Sequence, residues 1–261
     1  MSKRLNTLRE ALLMILTASS GAVDAICFVS FGKVFTAFMT GNLVFLGIGA
    51  AGAFKPNGPN LVRVGVVIAA FCVGVFIAAW IIKWSRRSRV ASRGLIRSLF
   101  GVLVLQLVFL GGWIAVDGDP SNTYATVLAA IEAVAMGMQT SAVGSLDVKG
   151  VFTTAATATL VYLSREAADP RVSDTNAARM ARILLCLIGG ALAGGLLLVY
   201  AKTLAPALPA VATGLALTVQ VTAQRLARRS ATATDAAPTP VAGQVGPLTQ
   251  GGPAIGYRDA A

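Results

Sequence analysis

The stretch Val34–Phe54, VFTAFMTGNLVFLGIGAAGAF, decides how this chain folds. It is free of charge over a length that could cross a bilayer, for which a helix needs about 20 apolar residues. Yet it carries Thr36, Thr40, Asn42 and the glycines at 41, 47, 49 and 52. The charges on either side settle whether it crosses, because cytoplasmic flanks of membrane spans attract Lys and Arg. Four clusters stand out: Lys3, Arg4 and Arg9; Lys83, Arg86, Arg87, Arg89, Arg93 and Arg97; Arg165, Arg171, Arg179 and Arg182; Arg225, Arg228 and Arg229. They hold 16 of the 22 basic residues. If all four lie in the cytoplasm, an even number of crossings separates each from the next. Three apolar segments lie between the first two clusters, so one of them does not cross, and its polar content selects Val34–Phe54. Three again lie between the second and third clusters. Here the odd one out is Gly150–Ser164, short and rich in threonine at 153, 154, 157 and 159. Each of the two segments is expected to enter and leave on one side, or to form a half-helix packed inside the bundle.

The remaining apolar segments are Ala11–Gly32, interrupted by Asp24; Val64–Ile82; Ser98–Val116; Ser121–Leu146, interrupted by Glu132; Ile183–Ala201; and Thr203–Gln224. The expected fold is therefore an all-α polytopic membrane bundle of six transmembrane helices plus two non-crossing segments. Composition agrees. Of 261 residues 56% are hydrophobic and 13% charged, about half the charged share of a soluble domain, which excludes an ordinary water-soluble enzyme. The net charge of +11 falls in short runs between apolar stretches, without the basic, aromatic-interleaved face that nucleic acid requires. There is no histidine, which removes His-based proton transfer and His-ligated zinc or haem. Cys27, Cys72 and Cys186 each stand alone in an apolar run and read as small buried residues without a disulfide.

The parity argument places both termini in the cytoplasm and the loops at Asp117–Asp119 and Lys202 outside. Trp80 and Trp84 then sit at the cytoplasmic interface, with Trp113, Tyr124 and Tyr200 at the outer one. Glu10 and the long apolar continuation through Phe31 argue against a cleaved leader. Residues 227–261, rich in Ala, Thr, Pro, Gly and Gln, read as a disordered tail.

Shifted by 117 residues, the sequence repeats. Val34-Phe35-Thr36 falls on Val151-Phe152-Thr153, and Thr40, Leu43, Val44 and Leu46 fall on Thr157, Leu160, Val161 and Leu163. With a one-residue adjustment, Gly21 and Asp24 meet Gly137 and Thr140. The halves are 1–118 and 119–226. Each has three crossings and one non-crossing segment, and three is odd, so the second half is expected upside down. Inverted repeats with a discontinuous element in each half are a pattern of secondary transporters.

Within this plan some residues are costly and therefore informative. An Asp at a helix centre costs about 2.5 to 3.5 kcal/mol on insertion scales, and such residues mark ion or proton pathways. Thr17, Ser20, Gly21 and Asp24 form one small, polar stripe. Asp24 reads either as a proton or cation site or as a hydrogen-bond partner for a broken helix. Thr40, Gly41 and Asn42, with Thr157 and Thr159 in the other half, are candidates for lining a substrate or ion pathway at membrane depth. Glu132 and Gln139 join them from one helix face. Glu132 lies near the outer third of its helix and is expected within reach of water. Gln106 reads as a packing hydrogen bond, and Gly189-Gly190 with Gly194-Gly195 as a close helix contact.

The runs Gly21-Ala22-Val23-Asp24-Ala25, Phe28, Gly32 and Phe38-Met39-Thr40-Gly41-Asn42 resemble the YoaK-like family of bacterial multi-pass membrane proteins. Ala135-Met136-Gly137-Met138-Gln139-Thr140-Ser141-Ala142 looks like the matching run of its second half, with Thr140 where the family usually has Asn. The resemblance covers residues 8 to 225 and implies a bacterial inner-membrane protein without an assigned activity. Three readings follow. The first is a permease for a small molecule or ion, with no cofactor and no metal. The second is a membrane scaffold or assembly partner, with self-association into a homo-oligomer left open. The third, an intramembrane enzyme, lacks paired carboxylates or a nucleophile–base set, so no enzymatic activity is expected.

Overall fold

The computed structural model describes residues 2–53, 58–87, 91–146, 160–161, 164, 168 and 177–235. Among these are seven helices: α1 Ser2–Ser30, α2 Met39–Ala50, α3 Leu61–Arg87, α4 Ala91–Ile114, α5 Asn122–Gly144, α6 Ala177–Tyr200 and α7 Ala207–Asp235, with a short 3-10 turn at Lys202–Leu204. At about 1.5 Å of rise per residue, all except α2 exceed the roughly 30 Å of a hydrocarbon core. Six helices are long and apolar enough to span: those containing Asn6–Ser30, Leu61–Ser85, Arg93–Ile114, Asn122–Gly144, Ala178–Tyr200 and Lys202–Ala227. The twelve residues of α2 are too few. Val34–Phe54 therefore holds a short helix after an irregular turn. Gly150–Ser164, with Thr157 and Thr159, lies outside the described residues apart from 160, 161 and 164. Helix α7 continues to Asp235, past residue 227, where the tail is expected to begin.

Helix α1 stops where Gly32, at φ +74, turns the chain through the left-handed region, which glycine enters without a Cβ clash. The described spans alternate in direction. The end of α1 and the starts of α3 and α5 meet through Arg63, and the end of α4 meets the 3-10 turn through a 3.0 Å bond from Trp113 Nε1 to the Lys202 carbonyl. At the opposite end Arg182 pairs with Glu10 at 3.4 Å. Near the first end, a core of Cys27, Phe31, Val34, Val67, Phe109, Trp113, Leu128 and Met136 fills the space between α1, α3, α4 and α5. Phe31 meets Phe109 and Trp113 edge-on at 6.0 and 5.8 Å. Leu12, Leu16, Leu95, Leu99, Ala142 and Ala216 form a second core toward the other end.

Helix α1 packs on α6 and α7, and α5 packs on α3 and α4. Both parallel contacts, α1 on α6 and α5 on α3, depend on glycine. A Cβ on Gly21 would strike the Leu187 carbonyl oxygen and come within 3.0 Å of Ala191 N. A Cβ on Gly137 would strike the Phe71 carbonyl oxygen and come within 2.9 Å of Val75 N. Gly190 lies against the Ala18 carbonyl, and Gly74 against the Val134 carbonyl. Every residue in one set is 116 positions from its counterpart in the other. The match is incomplete elsewhere, since α3 also packs on α4 more extensively than α6 does on α7.

Apolar side chains left outside, such as Leu185, Ile188, Leu192, Leu196 and Val199 on α6 and Val62, Val66, Val73 and Phe76 on α3, form rows along the bundle. In water such rows would be a liability, whereas lipid is as apolar as they are. Trp80, Trp84 and Tyr200 are exposed near span ends, as an interfacial belt requires, but Trp113 is fully buried in the aromatic core. Its indole N–H finds a backbone carbonyl there, so packing rather than the interface explains it. Cys27 is buried, as expected, but Cys72 is exposed on the outer face of α3, where a small apolar thiol can face lipid.

Candidate functional site

The break between α1 and α2 leaves backbone N–H groups with no helical partner, and lipid offers none. The sequence supplies two side chains for them. Asp24 Oδ1 accepts from Thr36 N and from Ala37 N, both at 2.8 Å. Asn42, at the end of the first turn of α2, reaches back to the residues before the helix. Its Oδ1 accepts from Phe35 N at 3.1 Å, and its Nδ2 donates to the Phe35 carbonyl at 2.6 Å. Three successive N–H groups are thus satisfied by one carboxylate and one amide. The Thr36 hydroxyl faces Cys27 Sγ at 3.7 Å. Phe35 stacks on Phe28 at 4.8 Å and lies 6.1 Å from Phe45. Gly41 sits under the rings of Phe35 and Phe38, where a Cβ would approach to 3.0 and 2.9 Å. Thr40 points outward and is exposed, so it takes no part in this arrangement.

A second polar group lies in the bundle interior. Glu132 on α5 and Gln106 on α4 are both fully buried. Gln106 Nε2 donates to Glu132 Oε1 at 3.4 Å. Glu132 Oε2 and Gln106 Oε1 have no partner among the described residues. The expectation that Glu132 reaches water is therefore corrected: it is the eleventh of the 23 residues of α5, at mid-helix rather than near the outer third, and it is fully buried. Asp24 and Cys27 on α1 are its electrostatic neighbours. Gln139, two turns further along α5, donates to the Leu16 carbonyl at 3.1 Å and so ties α5 to α1, while its Oε1 is buried without a partner among the described residues.

Sequence reasoning missed Arg63. It precedes the apolar segment Val64–Ile82, where the apolar pattern by itself gives it no role, but it is buried at the end of the bundle opposite the basic clusters. Its guanidinium donates to the Phe31 carbonyl, to the Asn122 carbonyl at 2.7 Å, to Asn122 Oδ1 at 2.6 Å and to Thr126 Oγ1 at 2.9 Å. It thereby ties the end of α1 to the starts of α3 and α5. A signal was available: Arg63 is a cation that the parity argument leaves on the outer side, against the usual bias.

The structure thus joins Asp24 with Asn42, and Glu132 with Gln106. It turns Gly21, expected on the polar stripe, toward the backbone of α6. A cavity of about 270 Å³ is lined by Ala79, Ile82, Lys83, Ser141 and Ser145, and one of about 320 Å³ by Val66, Leu105, Thr126, Val127, Ala130, Ile131 and Val134. Neither touches Asp24, Asn42 or Glu132. Among the described residues no three acidic or cysteine side chains converge as metal ligands.

A family described as "Protein of unknown function (DUF1275)" matches residues 12–220. The chain is similar to the UPF0700 transmembrane protein YoaK of Bacillus subtilis (strain 168), with 29% identity over 155 residues, covering 59% of this chain. The match spans 65% of that relative's own length. No solved structure matches.

Proposed function

The chain belongs to the DUF1275 family of multi-pass membrane proteins, and from that premise we propose that it is a secondary transporter for a small molecule or ion rather than an enzyme. The observation that carries this reading is the backbone break between α1 and α2, placed inside the bundle and held by Asp24 and Asn42. Irregular backbone at membrane depth is tolerated where protein or a cavity covers it, and transporters build their sites there. The inverted repeat, with halves at 1–118 and 119–226, is supported by the glycine contacts that recur at a spacing of 116. The basic clusters support a bacterial inner-membrane location with both termini in the cytoplasm.

Asp24 is the proton or cation site in this reading. Charged, it holds Thr36 and Ala37 through charge-assisted bonds, which are roughly twice as strong as neutral ones. Neutralised by a proton or a bound cation, it holds them less, so that ion binding loosens the start of α2. The pathway would pass Asn42, whose counterpart by sequence repeat is Thr159, as Thr157 is that of Thr40; both threonines lie outside the described residues.

The test is uptake by proteoliposomes under an imposed pH gradient, across a panel of sugars, amino acids, nucleobases and inorganic ions, after a thermal-shift screen of the same panel. A solute that stabilises the protein and accumulates with the gradient supports the reading, and Asp24→Asn should uncouple uptake from the gradient. No stabilisation and no flux throughout would sink it. The outcome would then favour a scaffold or assembly partner, for which the exposed apolar row on α6 is the best support. Gly190 and Gly194 do not add to that second reading, because both face α1 of the same chain.

A further inference from the structure

We propose that Glu132 and Gln106 form a proton-binding site in the middle of the bundle, in which a proton on Glu132 Oε2 is shared with Gln106 Oε1. This deepens the transport reading, on which its use in coupling rests, by naming the proton as the coupling ion.

The argument is one of donors and acceptors. A carboxylic acid and a primary amide can pair through two parallel hydrogen bonds. The amide N–H donates to the acid's carbonyl oxygen, and the acid's O–H donates to the amide oxygen. One of the two bonds is present, from Gln106 Nε2 to Glu132 Oε1. The two atoms that would make the other, Glu132 Oε2 and Gln106 Oε1, are both buried and both lack a partner among the described residues. Each is an acceptor when Glu132 is ionised, so they cannot satisfy each other. A single proton converts one of them into a donor and completes the pair. Without it, a carboxylate would stand fully buried with one long amide contact, which a low-dielectric interior strongly disfavours.

Among the described residues, no cation faces Glu132 to take the proton's place. From α1 the titratable groups facing Glu132 are Asp24 and Cys27. From α4 the facing group is Gln106 itself. Arg63 on α3 meets α5 at Asn122 and Thr126, nearer the end of the bundle, and its donors go to neutral oxygens there. Asp24 differs from Glu132 in kind, because its Oδ1 already accepts two backbone N–H groups. Among the described residues, the carboxyl with a fully buried oxygen that lacks a partner is Glu132.

The experiment is infrared spectroscopy of the full chain in lipid vesicles at neutral pH. It reads the carbonyl stretch of protonated carboxylic acids in the wild type, Glu132→Gln, Asp24→Asn and Gln106→Leu. The wild type should show one such band in the interior, slow to shift in heavy water. Glu132→Gln should lose it, and Asp24→Asn should keep it. Gln106→Leu should keep the band but move it to higher frequency, because the acid loses its acceptor. If Glu132→Gln proves unstable, the Gln106→Leu shift decides alone. A wild type without the band, a band that survives Glu132→Gln, or a band unmoved in Gln106→Leu overturns the proposal. The readout needs no substrate, so the two readings fail separately. A protein with the band that moves no solute keeps the proton site and loses transport, while one that moves solute without the band loses only the site.

Discussion

Removing the Asp24 carboxylate should open the turn between α1 and α2, and the size of the effect can be worked out beforehand. Asp24→Ala leaves two backbone donors, Thr36 N and Ala37 N, without their acceptor. Both residues are buried, at 0% and 5% exposure, so water does not replace the lost bonds. An unsatisfied buried donor costs about 1–3 kcal/mol, so the two together cost about 2–6 kcal/mol. Asp24→Asn keeps an oxygen in place and loses only the charge assistance, about half of each bond, for a cost of about 1–3 kcal/mol. Cys27 is a built-in reporter. It is fully buried, one turn from Asp24, with its sulfur against the Thr36 hydroxyl. With Cys72 and Cys186 changed to Ser, the rate at which a maleimide labels Cys27 measures local opening. At about 1.4 kcal/mol per tenfold, the rate should rise roughly 30-fold or more in Asp24→Ala and less, about 5- to 140-fold, in Asp24→Asn. Labelling of Asp24→Ala within about threefold of the parent would refute the claim that this carboxylate holds the break.

Two further outcomes follow from the packing. Gly190→Ala should lower the unfolding midpoint, since overpacking costs about 1–3 kcal/mol and its Cβ would meet the Ala18 backbone. Gly189→Ala, with nothing within 4 Å of its Cβ, should leave the midpoint unchanged or raise it slightly; equal effects at the two neighbours would contradict the α1–α6 contact. Arg63→Met strips a charged donor from three oxygens on α5 and one at the end of α1. At about 1.5–3 kcal/mol for each bond to a charged group, it should destabilise by at least about 3 kcal/mol. Thermal unfolding in detergent checks this, and a midpoint matching the parent's would show that the guanidinium ties nothing together.

Much of the architecture is legible in residue order, and the reason is the solvent. Lipid demands long apolar helices and leaves charges at their ends, so hydropathy gives the six spans, and the clusters from Lys3 to Arg229 give the parity that keeps Val34–Phe54 from crossing. The membrane also made Asp24 conspicuous, and one of its two readings, as a partner for broken backbone, describes the geometry found. Burial was harder to read. Glu132, Trp113 and Cys72 were each misplaced, because hydropathy reports depth along the membrane normal and says nothing of which side of a helix meets a neighbour.

The sequence by itself determined the apolar segments, the short one among them and the residues too polar to be there by chance. Only the tertiary structure decided what those residues touch. The Asp24 carboxylate meets the N–H groups of residues 36 and 37 because the chain doubles back after Gly32. Glu132 meets Gln106 because α4 and α5 lie side by side. Arg63 binds Phe31 and Asn122, residues 32 and 59 positions away, because three helix ends converge there. Composition and periodicity are local and one-dimensional, whereas a hydrogen bond between distant residues needs the packing of whole helices to bring its two atoms within 3 Å.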